Sequence, residues 1–157
     1  MMIIKNSKIK IFLGGTCPSN EGDFDYRTIL IPYLNIANIN YFNPVVKDWT
    51  PDCIENEQKE KDVCNVHLYV ICPNMKGVYS IAEAFSTSIL YPDKKGILCF
   101  LREIDNKEFD DQQLKSNKAT LDLFKSCGKN NLVFDLQTIK DFDKLGQCLN
   151  SLDKNYL

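Results

Sequence analysis

A chain of 157 residues carrying a net charge of −2, with 44% apolar residues, has the length of one globular domain spanning 1–157 and room for a sizeable core. The charge balance excludes the basic surface that nucleic acid requires, and no apolar run approaches the length of a membrane span, so neither partner is expected. Seven cysteines (Cys17, Cys53, Cys64, Cys72, Cys99, Cys127 and Cys148) are dispersed without a C-x-x-C pair, and the one histidine, His67, falls in an apolar run. No metal or cofactor is therefore expected, and thiols of this kind without a secretory leader read as reduced cytoplasmic ones.

In chain order, residues 8–13 alternate and then turn apolar, which predicts a first strand ending in Gly14-Gly15-Thr16. Paired glycines permit positive φ and close approach of a ligand to the backbone, although a plain tight turn accounts for them equally. The segment is neither G-x-G-x-x-G nor a P-loop. Residues 20–25 are a polar loop and a candidate lid over the sheet's edge. Helical spacing over 26–36 carries Pro32, which is expected to kink the helix or shift its start. A short strand is predicted over 39–42, a loop over 43–49, and a helix from Pro51 to Asp62 that proline at its first position favours. That helix is so charged that it reads as a solvated outer helix, with i,i+4 pairs such as Glu55 with Lys59; acids at its cleft end would be the exceptions.

Residues 66–71 are a near-continuous apolar run, the signature of a strand buried on both faces of a parallel sheet. After a Pro/Asn/Gly turn a helix begins, with Ser80 as its expected N-cap and Glu83 in its first turn, beside the carboxyl end of a central strand. A carboxylate there is favoured by the helix dipole and suits a nucleophile. The same spacing, Ser80-x-x-Glu83, also spells a capping box that does no chemistry. The inward stripe of the helix is expected to be Ile81, Ala84, Phe85, Ser88 and Ile89. A fourth strand over 96–101, a charged connection over 102–113, a helix over 114–126, a brief strand over 132–134 and an amphipathic helix over 139–152 complete the chain. Alternating strands and helices predict an α/β fold, a flavodoxin-like, Rossmann-like three-layer sandwich around a five-stranded parallel sheet.

Three blocks together, Ile11-Phe12-Leu13-Gly14-Gly15-Thr16, Tyr41-Phe42-Asn43-Pro44-Val45-Val46-Lys47-Asp48-Trp49, and 68–71 through Ser80-Ile81-Ala82-Glu83-Ala84, resemble the nucleoside 2-deoxyribosyltransferase-like family. The resemblance implies an N-glycosidic-bond enzyme acting on (deoxy)nucleosides or nucleoside monophosphates, moving 2-deoxyribose between bases or hydrolysing it. Glu83 matches the family's glutamate nucleophile, which attacks C1′ and forms a glycosyl-enzyme. Its transition state is oxocarbenium-like, and the leaving base needs a proton from an acid of raised pKa. Family members carry an aspartate six residues before the nucleophile; Gly77 stands there in this chain, which leaves Asp48 and Asp62 as candidate acids. On the substrate side the candidates are Gly14, Gly15, Thr16, Asn43, Trp49, Asn74, Met75, Tyr79 and Ser80. Trp49 and Tyr79 are offered for stacking on a base, although either is equally explained as a packed aromatic. A homodimer or higher homo-oligomer follows from the resemblance. The rival readings are a nucleotide-binding module without catalysis, which Gly77 suggests, and an NAD-type glycohydrolase.

Overall fold

The computed structural model describes residues 7–155. Five strands, β1 (Lys10–Gly15), β2 (Asn40–Phe42), β3 (Val66–Ile71), β4 (Lys95–Leu101) and β7 (Leu132–Leu136), form an all-parallel sheet in the order β2-β1-β3-β4-β7. Five α-helices cover it: α1 (Arg27–Ile36), α2 (Pro51–Val63), α3 (Tyr79–Leu90), α4 (Asp111–Cys127) and α5 (Phe142–Asn155). This is the flavodoxin-like three-layer α/β arrangement that the alternating pattern predicts.

Alternation along the strands decides which side chains meet which layer. Ile11, Leu13, Val66, Leu68, Val70, Ile97 and Cys99 pack with Leu30 and Leu34 of α1 and Leu145 and Leu149 of α5. Phe12, Tyr69, Ile71, Leu98 and Phe100 point the other way, onto Ala84 of α3 and Leu121 and Phe124 of α4. Every residue of β3 is buried, as a strand with helices on both faces must be.

Several boundaries differ from the sequence reading. The first strand starts later and runs through both glycines, because Gly14 and Gly15 pair with Tyr69 and Val70 of β3. Helix α1 continues through Pro32 unbroken. The charged connection after β4 contains a small antiparallel hairpin, β5 (Glu103–Ile104) with β6 (Lys107–Glu108), whose turn residues Asp105 and Asn106 adopt positive φ. Helix α4 begins at Asp111, earlier than its apolar spacing suggests. Asp110 accepts from the Gln113 N–H at 2.7 Å while the Gln113 side chain accepts from the Asp110 N–H at 2.9 Å, a reciprocal cap. A single turn of 3-10 helix, Ile139–Asp141, precedes α5. In α3 Ala84 and Ser88 are buried and Ile81 and Phe85 pack partly buried against the core, as the expected stripe has them, whereas Thr87 is buried as well and Ile89 is exposed. No helix among the described residues is long and apolar enough to cross a membrane.

Candidate active site

The chain leaves β1 toward β2 on one side, and β3 lies on the other, so the strand order reverses between β1 and β3. At the carboxyl ends of strands flanking such a reversal, open α/β sheets leave a crevice. Here it is a cleft of about 250 Å³, with Gly14 and Gly15 at its base and Glu57, Glu83, Trp49 and Tyr79 among its walls.

The glycine pair is there because nothing larger fits. Gly15 has φ +105°, and a Cβ on it would lie 2.1 Å from the Val70 carbonyl oxygen; one on Gly14 would lie 2.5 Å from the Tyr69 ring. Thr16 turns away from this cleft. Its N–H donates to Val70 O at 2.9 Å and its hydroxyl accepts from the Cys72 N–H at 3.0 Å, stitching β1 to β3. Beneath the turn lies Arg27, fully buried. Its Nε donates to Leu13 O at 2.8 Å, and Nη1 donates to Thr16 O and to Asp25 Oδ1, both at 2.9 Å. A buried guanidinium that satisfies the carbonyls on both sides of the glycines makes the turn rigid.

Glu83 is not a capping residue. Helix α3 opens two residues earlier than expected, at Tyr79, with Val78 at the N-cap in place of Ser80 and no side-chain cap. The Ser80 hydroxyl donates instead to the Gly15 carbonyl at 3.1 Å, across the cleft floor. Glu83 is therefore one turn into the helix, beyond its first turn, and its Oε1 is ion-paired with the Lys61 ammonium. Lys61 comes from the last turn of α2.

The polar helix α2 faces this site with part of its charge. Glu55 and Lys59 form the expected solvated pair at 2.7 Å. Cys53, Glu57, Lys61 and Cys64, at helical spacing, are turned inward to partial or full burial. The Glu57 carboxyl is raised above its ordinary range, first by burial and then by the Glu83 carboxylate, with Lys61 and Arg27 pulling the other way. The cleft thus holds two carboxyl groups in different states, an ion-paired one and one that keeps its proton to higher pH.

The remaining sequence candidates divide. Trp49, 62% exposed, and Tyr79 stand at the mouth of the cleft, and Ser80 lines it. Met75 and Thr16 line a smaller adjoining cleft that shares Tyr79 and Ser80 with the main one. Asn43 shapes the loop before α2, its side chain accepting from the Val45 N–H at 3.0 Å. Asn74 lies apart, donating to Phe24 O at 3.2 Å in a pocket beside the hairpin. The loop over 20–25 runs toward that same hairpin and contributes no wall to the Glu83 cleft. Asp48 is exposed on its loop and outside the lining. Asp62 is also exposed and accepts from the Tyr91 hydroxyl at 2.5 Å, one residue and about 100° around α2 from Lys61. Residues that sequence reasoning did not single out are Arg27, Glu57 and Lys61. The trace of the last two was the helical spacing of cysteines around them in an otherwise charged segment.

A family model described as nucleoside 2-deoxyribosyltransferase like matches residues 8–103, more than half of the chain. Searches of curated proteins and of solved structures give no match. The matched segment runs from β1 through β4 and takes in the glycine turn, Arg27, Glu57, Lys61 and Glu83. The chain belongs to the nucleoside 2-deoxyribosyltransferase-like family.

Proposed function

We propose that this chain cleaves the N-glycosidic bond of 2-deoxynucleosides or their monophosphates, by transfer to a second base or to water, with Glu83 as nucleophile and Glu57 as proton donor. The observation that carries the reading is the pairing of these two carboxyl groups in one cleft. Glu83 is free of its own helix end and held by a cation. Glu57 holds its proton to higher pH than an ordinary glutamate.

Bond breaking leaves positive charge on C1′ and negative charge on the departing nitrogen. A carboxylate below the sugar answers the first, and an acid beside the base answers the second. Gly14 and Gly15 allow the sugar to approach the backbone without a side chain in the way, and Trp49 and Tyr79 offer aromatic faces to a base at the mouth. Gly77, where the family resemblance leads one to expect an aspartate, is exposed with open space around it and lines only the smaller cleft. Glu57 reaches the main cleft from a different helix and supplies the acid that position 77 lacks.

The test is incubation of the full chain with the four 2′-deoxynucleosides of DNA and their 5′-monophosphates, with and without a second free base, and chromatographic detection of released or exchanged base. Release that disappears in Glu83→Gln supports the reading. Saturable nucleotide binding without any release would instead identify a binding module, and undiminished release by Glu83→Gln would remove Glu83 from the chemistry.

A further inference from the structure

Lys61 is anchored more firmly than a lysine on an outer helix needs to be. Its ammonium is paired with Glu83 Oε1, and the two side chains are only 11% and 12% exposed. The same ammonium lies 5.2 Å from the centroid of the Phe12 ring, on the floor of the sheet. Its backbone is held as well: the Lys61 carbonyl accepts from His67 Nε2 and from Lys94 Nζ, each at 2.8 Å. Glu57, one turn earlier on the same face of α2, lies in the electrostatic field of both Lys61 and Glu83.

An ion pair this sheltered costs desolvation that a surface pair does not. Merely joining α2 to α3 would be served as well by apolar side chains, so the charge itself calls for an explanation. Resting on the proposed function, the explanation lies in how charge moves during the reaction. In the form that reacts, Glu83 carries the negative charge and Glu57 the proton. As the C1′–N bond breaks, its electron pair leaves with the base, whose nitrogen takes the Glu57 proton. Glu83 forms the C1′–O bond and becomes a neutral ester, while Glu57 becomes the carboxylate. One negative charge is present before and after, but it has moved from Glu83 to Glu57. When water or a second base opens the ester, the proton returns to Glu57 and the charge returns to Glu83.

We propose that Lys61 is a positioning residue that acts as the shared counter-cation of Glu83 and Glu57, fixing the first for attack and holding the second once it has given up its proton. A fixed cation paired with one carboxyl and within the field of the other spares the site an uncompensated charge at either stage.

The experiment compares Lys61→Met and Lys61→Arg with the wild type, on whichever of the four 2′-deoxynucleosides or their 5′-monophosphates the wild type cleaves fastest. The expected result is a fall in kcat of about 100-fold for Lys61→Met with KM within about threefold, and recovery to within about tenfold of wild type for Lys61→Arg. Mass spectrometry of quenched mixtures should show less glycosyl-enzyme in Lys61→Met. Circular dichroism melts establish that each variant folds; should Lys61→Met not fold, Lys61→Gln against Lys61→Arg gives the same comparison. Wild-type kcat in the neutral variant, or equal impairment of the neutral and arginine variants, overturns the counter-cation role while leaving the function standing. No base release by the wild type itself overturns the function and this role with it.

Discussion

The Ser80 hydroxyl donates to the carbonyl of Gly15 at 3.1 Å, joining the start of helix α3 to the end of strand β1. That bond, formed between residues 65 apart in sequence, sets the height of α3 over the glycine turn and hence the position of Glu83 one helical turn later. Replacing Ser80 by Ala should cost about 1 kcal/mol in urea denaturation, the ordinary worth of one such hydrogen bond. Gly15→Ala should cost considerably more. Its φ of +105° is strained for any L side chain, and the new methyl would meet the Val70 carbonyl at 2.1 Å. Urea midpoints of the two variants, measured side by side, should therefore be well separated; equal midpoints would show that the turn relaxes freely.

Glu57→Gln should lower base release by about 10²- to 10⁴-fold, the range associated with a lost general acid. The pH profile gives the sharper reading. Burial and the neighbouring Glu83 carboxylate raise the Glu57 carboxyl, so its acid form persists further toward neutral pH and is lost as pH rises through that raised value. Wild-type rate should decline along that limb at high pH. In Glu57→Gln the limb should vanish and the residual rate should be flat there. A limb that survives the substitution belongs to another group.

The sequence made half of this site legible and hid the other half for a physical reason. A strand buried on both faces declares itself as an unbroken apolar run, so β3, the turn after it and the helix that carries Glu83 could be placed from residues 66–84 alone. Glu57 and Lys61 could not, because a charge turned inward looks the same in one dimension as a charge turned to water. Only the cysteines at 53 and 64, on the same stripe, betrayed an inward face. Ser80 was misassigned as a cap because Ser-x-x-Glu is a local pattern, while its hydroxyl answers a carbonyl on a distant strand. Asp62 failed by a single residue: one step along α2 from Lys61, its side chain meets Tyr91 instead of the Glu83 carboxylate.

Trp49 tests the mouth of the cleft. At 62% exposure it contributes little to the core, so Trp49→Ala should change stability by no more than about 0.5 kcal/mol. Stacking of a base on an aromatic ring is worth about 1–3 kcal/mol. KM for a cleaved nucleoside should accordingly rise at least about fivefold, with kcat much less affected. An unchanged KM would mean that the base lies deeper, against other walls.

His67 links the pH dependence of folding to the hold on Lys61. Only 2% exposed, it points from β3 toward the end of α2, where Nε2 donates to the Lys61 carbonyl at 2.8 Å. Burial is the main force that lowers its pKa from 6.5 to about 4, aided by the Lys94 and Lys61 ammonium groups and opposed by the hydrogen bond and by Asp62. Between those two values the unfolded chain binds a proton that the folded chain refuses. Stability is therefore complete above about pH 6.5 and is lost as pH falls, by about 2 kcal/mol at pH 5 and about 3 kcal/mol at pH 4. Carboxylates titrate over the lower part of the same range, so the informative quantity is a difference between proteins. Urea denaturation at pH 7 and pH 5 should show the wild type losing about 2 kcal/mol more than His67→Gln, which has no imidazole to protonate. Because the same imidazole clamps the backbone of Lys61, His67→Gln should also weaken the hold on Glu83 and lower kcat at pH 7. A variant with both the wild-type pH slope and the wild-type kcat would show that this histidine controls neither.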